Sequence, residues 1–213
     1  MSGWVAVVPV KELAVAKSRL GHLPPTDRAD LALAMAGDVV TAALASDGIV
    51  AVVVVTNDAR AAETLSELGA LVVPDAADAG LDPALTDGAR AARGWHPAAG
   101  VAALSGDLPC LRAGELAVAL SAAAGHARAV VADRRGSGTT LLTAGPGLAL
   151  LPQYGGGSLA AHRSTGAVEL AAPAYPSLRL DVDTADDLAD AVALGVGAYT
   201  SAVLDQIEAR ARG

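Results

Sequence analysis

The chain has 213 residues, of which 53% are hydrophobic, and a formal net charge of −8 at pH 7. This acidic balance argues against a nucleic-acid partner, which would require a basic stripe. No apolar run reaches the roughly 18 residues of a membrane span, and no basic leader precedes the first strand-like run. The single cysteine, Cys110, excludes an internal disulfide framework and a cysteine zinc site. We therefore expect a cytoplasmic protein, with residues 1–213 forming one domain.

Strand-like and helix-like segments alternate along most of the chain. The predicted strands cover residues 5–10, 49–56, 70–73, 101–104, 129–132 and 178–182, and the predicted helices cover residues 27–45, 60–68, 84–93, 114–124 and a segment that begins after residue 184. This order predicts an α/β fold with a mostly parallel sheet and helices on both faces. Glycine and proline are frequent between residues 134 and 176, and the alternation is lost there.

Two of the predicted strands run into acidic residues. Residues 101–104 lead to Asp107, and residues 178–180 lead to Asp181 and Asp183. The carboxyl ends of parallel strands form the edge at which open α/β sheets bind ligands. Asp181 and Asp183 are two apart, so on a strand they share one face and repel each other. The three oxygen donors predict a site for Mg²⁺ or Mn²⁺, and helix capping or turn formation is the alternative role.

A basic loop follows the first predicted strand. It contains Lys11, Lys17 and Arg19, in a chain with only 15 Lys and Arg residues. Nucleotide-binding α/β proteins place phosphate-binding turns at this position. Neither the G-x-G-x-x-G pattern nor the P-loop pattern is present, so those two binding modes have no support. The loop is either a phosphate-binding element or an ordinary solvated connection.

Two glycine-rich segments, residues 134–140 and 154–158, are candidate anion sites because glycines let backbone N–H groups approach a ligand closely. Ser158 is a candidate cap for a short helix that runs to residue 162, and flexible surface turns are the alternative. Cys110 is expected to be a small buried hydrophobe. No metal-ligand spacing links the four histidines, which are predicted to be surface or capping residues: His22, His96, His126 and His162.

Several segments, in order along nearly the whole chain, resemble one family. They are residues 8–11 with 17–20, 106–109, 136–140, 166–170 and 181–184. Together they resemble the phosphoenolpyruvate or 2-phospho-L-lactate guanylyltransferases of deazaflavin coenzyme biosynthesis. The resemblance implies a nucleotidyltransferase fold, which is a Rossmann-type three-layer fold like that of the nucleotide-diphospho-sugar transferases. It also implies Mg²⁺-dependent transfer of GMP from GTP to a phosphorylated three-carbon acid, with release of pyrophosphate.

The resemblance implies roles for particular residues. Lys11, Lys17 and Arg19 would be catalytic residues that face the triphosphate. Asp107, Asp181 and Asp183 would hold Mg²⁺. The acceptor's phosphate and carboxylate would be contacted by one threonine of the pair Thr139 and Thr140, with Thr140 fitting slightly better, and by Gly155 and Ser158. One departure concerns residues 80–82, which read Gly-Leu-Asp where Gly-Leu-Asn is expected near the base pocket.

The expected partners are GTP and the three-carbon acid, with no nucleic acid and no membrane, and a homodimer is a possible assembly. No catalytic histidine is required, because the acceptor's phosphate oxygen is already anionic near neutral pH. Two other hypotheses remain open. One is a nucleotidyltransferase with a different acceptor, such as a molybdopterin guanylyltransferase or a cytidylyltransferase. The other is a non-catalytic nucleotide-sensing or scaffold module.

Overall fold

The computed structural model describes residues 3–76, 79–171 and 174–212. The strands are β1 (Trp4–Pro9), β2 (Ile49–Val55), β3 (Leu71–Val73), β4 (Gly100–Leu104), β5 (Arg128–Ala132), β6 (Thr139–Ala144) and β7 (Val168–Glu169). The helices are α1 (Pro25–Leu44), α2 (Ala59–Glu67), α3 (Leu81–Trp95), α4 (Ala113–Ala123), α5 (Ser158–Ser164), α6 (Ala185–Leu194) and α7 (Ala198–Arg212). Within the described residues, no helix has both the length and the apolar character needed to cross a membrane.

The seven strands form one mostly parallel sheet in the order β3-β2-β1-β4-β6-β5-β7. The strands β3, β2, β1 and β4 are parallel to one another, and β7 is parallel to β5. Among the strands of the described residues, only β6 runs antiparallel to its two neighbours, β4 and β5. Because β6 is antiparallel to β4, its first residues lie beside the carboxyl end of β4, where Leu104 pairs with Leu141.

Successive strand residues point to opposite faces of the sheet and build two separate apolar layers. On one face, Ala6 and Val8 of β1 pack in a cluster with residues of α1, α2 and α4. On the other face, Val5 and Val7 pack in a cluster with residues of α3 and α5. The helix α3 lies so close to the sheet that a Cβ at Gly88 would overlap Val7. The predicted three-layer α/β architecture is therefore confirmed.

Nine of the predicted elements agree with the structure to within about three residues at each end, the usual uncertainty of such boundaries. They correspond to β1 to β5 and to α1 to α4. The predicted start of the helix after residue 184 is also confirmed. Thr184 and Asp187 form a capping box, in which each side chain bonds the other residue's backbone N–H. These elements are specified by local sequence signals.

The prediction of a strand at residues 178–182 is wrong. This segment has no regular secondary structure and instead crosses the carboxyl edge of the sheet. Its backbone is held by isolated hydrogen bonds, from Arg134 N–H to the Arg179 carbonyl (2.7 Å) and from Val182 N–H to the Asp107 carbonyl (3.0 Å). Of the apolar side chains that suggested a strand, Leu180 and Val182 pack in a third cluster with residues of α1 and α6, whereas Leu178 packs in the cluster of Ala6 and Val8. We call residues 178–183 the edge segment.

Three elements of the structure, β6, β7 and α7, were not predicted from the sequence. The strand β6 lies inside the region where glycine and proline obscured the alternation, and all six of its residues are buried. The two-residue β7 is too short to leave a pattern in the sequence. In α7, Thr200 is the single buried residue among those described. The helix begins where Asp38 of α1 accepts hydrogen bonds from the backbone N–H groups of Tyr199 and Thr200, at 3.0 and 2.9 Å.

Candidate active site

A cavity of about 450 Å³ lies at the carboxyl edge of the parallel strands. β1 and β4 run side by side, with Val7 beside Ala103, so the segments that follow them leave the sheet together. Five of the predicted site residues line this cavity, and they are Lys11, Lys17, Arg19, Asp107 and Asp183. The three cations of the basic loop and two of the three predicted carboxylates therefore line the same cavity.

Lys17 lies at the centre of the charged part of this site. Its Nζ is 2.5 Å from Asp107 Oδ2, 2.5 Å from the Val182 carbonyl oxygen and 3.5 Å from Asp183 Oδ1. Burial lowers the pKa of Lys17, but the negative charges of Asp107 and Asp183 outweigh it, so the pKa is raised above the ordinary lysine value. Lys17 is therefore charged at neutral pH and neutralises carboxylates contributed by two distant segments.

The basic loop is held in a strained conformation at this lysine. Lys17 has a φ of +52°, in the left-handed region that costs a side-chain-bearing residue about 1–2 kcal/mol. Only 10% of its side chain is exposed, whereas Arg19 is 69% exposed and reaches Asp183 Oδ2 at 3.2 Å. Lys11 is exposed and lines the same cavity. The three cations thus differ in how firmly the fold holds them.

The three predicted metal-binding carboxylates lie near one another, but they do not surround a common point. Burial, followed by the charge of Asp107, raises the pKa of Asp181 to about 6, with Asp133 and Asp183 contributing further. Among the described residues, no three His, Cys, Asp or Glu side chains form a group that could hold a metal ion. The Lys17 ammonium bonds two of the three carboxylates instead. The metal assignment stays a prediction.

The predicted acceptor residues form a second group, in the half of the sheet that contains β6. The Thr140 carbonyl accepts a hydrogen bond from Ser105 N–H at 2.9 Å, which places Thr140 directly beside the segment that leads to Asp107. Thr140 is 1% exposed, and its hydroxyl oxygen is a buried polar atom with no hydrogen-bond partner. Gly155 has a φ of +140° in the loop before α5, a conformation that favours glycine.

A buried histidine ties this second group together. His162 Nδ1 is 3.0 Å from Thr139 Oγ1, and its Nε2 accepts a hydrogen bond from Gln153 N–H at 2.8 Å. Ser158 Oγ donates to Thr139 Oγ1 at 3.3 Å. Burial lowers the pKa of His162. The prediction that this histidine is a surface or capping residue is wrong, since it is 0% exposed.

One signal in the sequence was sufficient to find His162. Ser158 and His162 are four residues apart, so on a short helix they share one face. Ser158 was already a candidate site residue, and the helix was predicted to run from it to residue 162. The other half of the arrangement was out of reach, because the contacts with Thr139 and Gln153 depend on how α5 packs against β6.

The departure at residues 80–82 has a structural explanation. Asp82, at the start of α3, accepts a hydrogen bond from Tyr154 N–H through Oδ1 at 2.8 Å. Tyr154 lines the large cavity and begins the loop that leads to Gly155 and Ser158. The rings of Tyr154 and His162 pack in a T-shaped arrangement, with 4.9 Å between the ring centroids. Asp82 therefore holds the glycine loop, and an asparagine oxygen could accept the same bond.

A smaller cavity of about 220 Å³ shares part of its wall with the large one, including Val10, Lys11 and Leu81. It extends towards Asn57 and Gly80. The Asn57 side chain forms two hydrogen bonds with the backbone of Asp75, both at 3.0 Å. The two cavities are therefore neighbours, and the smaller one is lined by a mixture of apolar, amide and charged residues.

This sheet topology, with a basic loop after β1 and carboxylates at the carboxyl edge, defines a nucleotidyltransferase fold. The solved structure of a putative nucleotide-diphospho-sugar transferase from Desulfovibrio desulfuricans G20 matches with a TM-score of 0.68. That match covers 98% of this chain and 96% of the other, at 17% sequence identity. The predicted fold, like that of the nucleotide-diphospho-sugar transferases, is confirmed.

The particular family follows from the sequence comparisons. Residues 4–211 match the model of the family "Guanylyl transferase CofC like", and the chain belongs to that family. A protein of Thermomonospora curvata named phosphoenolpyruvate guanylyltransferase is 51% identical over 206 residues, which cover 97% of this chain and 90% of the relative. A protein of the same name from Streptomyces coelicolor is 52% identical, over 94% of this chain and 95% of the relative. The predicted family membership is confirmed.

Proposed function

We propose that this protein transfers GMP from GTP to the phosphate of phosphoenolpyruvate and releases pyrophosphate, in deazaflavin coenzyme biosynthesis. The observation that carries the proposal is the meeting of two groups at one sheet edge. Lys17, Asp107 and Asp183 line the cavity, and Ser105, which also lines it, bonds the backbone carbonyl of Thr140, whose buried hydroxyl has no partner. The names of the close relatives favour phosphoenolpyruvate over 2-phospho-L-lactate as the acceptor.

The basic loop supplies the charge for the triphosphate. We call Lys11, Lys17, Arg19 and the carboxylates Asp107, Asp181 and Asp183 the nucleotide side of the site. Two anionic substrates must approach each other, and at short range in a partly buried site their repulsion amounts to several kcal/mol. Lys17 is already buried and charged, so it can stabilise negative charge without first being desolvated.

Mg²⁺ is the proposed cofactor, and the donor chemistry of the nucleotide side fits it. Asp107, Asp181 and Asp183 offer carboxylate oxygens, the ligands that Mg²⁺ prefers. Burial and then the charge of Asp107 raise the pKa of Asp181, and a bound cation would relieve both the desolvation and the repulsion of these carboxylates. When bound, the ion would neutralise phosphate charge and stabilise the leaving pyrophosphate. Lys17 would then exchange its bonds with the carboxylates for bonds with the triphosphate.

We call Thr139, Thr140, Gly155, Ser158 and His162 the acceptor side of the site. A buried hydroxyl without a hydrogen-bond partner costs about 1–3 kcal/mol. A hydrogen bond from Thr140 Oγ1 to an oxygen of the bound three-carbon acid would recover that energy. Gly155 and Ser158 supply a loop that lets backbone groups approach an anion closely.

Both ring nitrogens of His162 already take part in hydrogen bonds, so this histidine is not poised to remove a proton from the acceptor. The acceptor's phosphate is already anionic and needs no general base. Catalysis would then consist of in-line positioning and charge neutralisation.

The test is pyrophosphate release from each of GTP, ATP, CTP and UTP in the presence of Mg²⁺. Each nucleotide is combined with phosphoenolpyruvate, with 2-phospho-L-lactate, or with no acceptor. We expect pyrophosphate release only with GTP and phosphoenolpyruvate together. A coupled downstream enzyme is included to consume the diphosphate product, which is labile. Release with another nucleotide or acceptor would overturn the assignment of substrates. Silence from folded protein that binds GTP would favour the nucleotide-sensing module.

A further inference from the structure

We infer that His162 is a positioning residue for the acceptor, and that its neutral imidazole fixes the two chain segments that form the acceptor side. This inference rests on the proposed function, because it assigns a role within the same site. His162 need not touch the substrate. It acts through Thr139, which precedes Thr140 in β6, and through Gln153, which precedes the glycine loop.

The hydrogen bonds of His162 fix its tautomer. Gln153 N–H is a backbone donor, so His162 Nε2 must accept and carries no proton. In the neutral ring the proton is therefore on Nδ1, which donates to Thr139 Oγ1. Ser158 Oγ also donates to this oxygen, so Thr139 keeps its own hydroxyl proton for another acceptor. A protonated imidazole would point an N–H at the Gln153 N–H and break this arrangement.

The imidazole joins three parts of the chain. It belongs to α5, bonds the first residue of β6 and bonds the loop that leads to Gly155. Tyr154 packs against it in a T-shaped arrangement and is itself anchored to Asp82. Together with Ser158, which bonds both Thr139 and the Gly155 carbonyl, the buried ring thus sets the spacing between the threonine pair and the glycine loop. An acceptor bound between them requires that spacing to be kept within a fraction of an ångström.

Burial keeps His162 in its neutral form, although a carboxylate lies nearby. The Asp82 carboxylate favours protonation of His162, while the Arg128 guanidinium opposes it. Burial is the largest influence, and it also opposes protonation, so the pKa lies below the ordinary value of 6.5. The Arg128 guanidinium is engaged with Thr165, at the end of α5, and bonds its carbonyl oxygen at 2.6 Å. At neutral pH the His162 imidazole is therefore neutral.

Two substitutions separate the bonds of the ring. His162→Asn can keep the bond to Thr139, because the asparagine amide nitrogen replaces Nδ1, but it cannot reach Gln153. His162→Gln can keep the bond to Gln153, because the glutamine oxygen replaces Nε2, but it loses the donor to Thr139. We expect each variant to raise the KM for phosphoenolpyruvate about fivefold or more, the effect of one hydrogen bond. The KM for GTP and kcat should stay within about twofold of the wild type.

Thr143→Val is the matched control. Thr143 is also on β6, is 1% exposed and uses its hydroxyl to bond the backbone of Ala129. This variant should lose thermal stability to a similar degree while the KM for phosphoenolpyruvate is unchanged. If the His162 variants also change only the melting temperature, the ring has a merely structural role and the inference is overturned.

A pH profile gives a second readout. In the wild type, the KM for phosphoenolpyruvate should rise below pH 6.5 as His162 takes up a proton, because the Gln153 N–H then loses its acceptor. The acceptor's own phosphate also titrates in this range, and His162→Gln retains only that contribution. The ratio of the two profiles therefore isolates the histidine, and identical profiles would contradict its role.

Calorimetric titration of phosphoenolpyruvate separates failure of the inference from failure of the proposed function. A wild type that binds phosphoenolpyruvate but releases no pyrophosphate refutes the proposed reaction, and the Kd values of the variants still test the inference. A wild type that turns over, with variants of unchanged KM and Kd, refutes the inference alone. A wild type that neither binds nor converts phosphoenolpyruvate overturns both.

Discussion

The nucleotide side and the acceptor side of this site hold their functional groups in different ways. On the nucleotide side, Lys17 and Arg19 come from a loop and are held by ion pairs with Asp107 and Asp183. On the acceptor side, neutral hydroxyls and an imidazole are held by hydrogen bonds between β6 and α5. Ion pairs can be exchanged for bonds with phosphate, whereas a buried neutral network resists rearrangement. Under the proposed function, the adaptable half would bind the triphosphate and the rigid half would bind the smaller acid.

The largest effect is expected from Asp107→Asn. This change removes a proposed Mg²⁺ ligand and the carboxylate closest to Lys17 Nζ. Turnover should fall by about 10³-fold, as when a group that stabilises transition-state charge is lost. The measurement is the rate of pyrophosphate release from GTP and phosphoenolpyruvate, with the circular dichroism melt and GTP binding as controls. Activity within about tenfold of the wild type would refute the role of Asp107.

The next effect compares two cations of the basic loop. Lys17→Met removes a buried charge-assisted bond worth about 2–3 kcal/mol, so kcat/KM for GTP should fall about 10²-fold. Arg19→Ala removes a guanidinium that is 69% exposed and should cost roughly tenfold or less. Steady-state kinetics with varied GTP measures both. Equal losses would mean that burial does not distinguish the two cations.

A smaller effect, on the KM for phosphoenolpyruvate, is expected from substitution of Asp82. Asp82→Ala removes the acceptor of the Tyr154 N–H bond, so the KM for phosphoenolpyruvate should rise about fivefold, the effect of one hydrogen bond. Asp82→Asn is the matched variant, because its amide oxygen can accept the same bond, and its KM should stay within about twofold of the wild type. A large defect in Asp82→Asn would instead show that the negative charge at this position matters.

The acceptor side also predicts how stability depends on pH. The pKa of His162 is lower in the folded protein than its ordinary value of 6.5, so the folded state binds fewer protons than the unfolded state. The contribution of His162 to stability is therefore fully present above pH 6.5 and is lost as the pH falls below that value. Melting temperatures between pH 8 and pH 5 should fall more steeply for the wild type than for His162→Gln. Parallel curves would contradict this assignment.

The last prediction concerns the chemical reactivity of Cys110, which lies outside the proposed site. Its thiol is 3% exposed, and burial raises its pKa to about 11. In the folded protein it should therefore react with iodoacetamide far more slowly than a free thiol, because the thiolate is the reactive form. Mass spectrometry before and after unfolding in urea measures this difference. Rapid labelling of the folded protein would show that the packing around α6 opens readily.

The elements that the sequence predicted correctly share a physical basis. The valine-rich run that forms β2 and the capping box at Thr184 are local signals, readable within ten residues. The basic loop and the carboxylates could also be found locally, because charged residues in an apolar chain stand out. The segment at residues 178–182 has the local pattern of a strand but does not form one. Its side chains Leu180 and Val182 pack instead in the cluster that contains residues of α6.

The sequence by itself determined the alternating α/β order, the charges of the nucleotide side and the family. Tertiary structure decided which of these groups meet. Lys17 contacts residues 90 and 166 positions away, and the antiparallel course of β6 brings Thr139 to His162. Burial of the histidine and the missing partner of Thr140 are also properties of packing. Local pattern reflects the preferences of neighbouring residues, whereas a site is set by contacts between segments far apart in the chain.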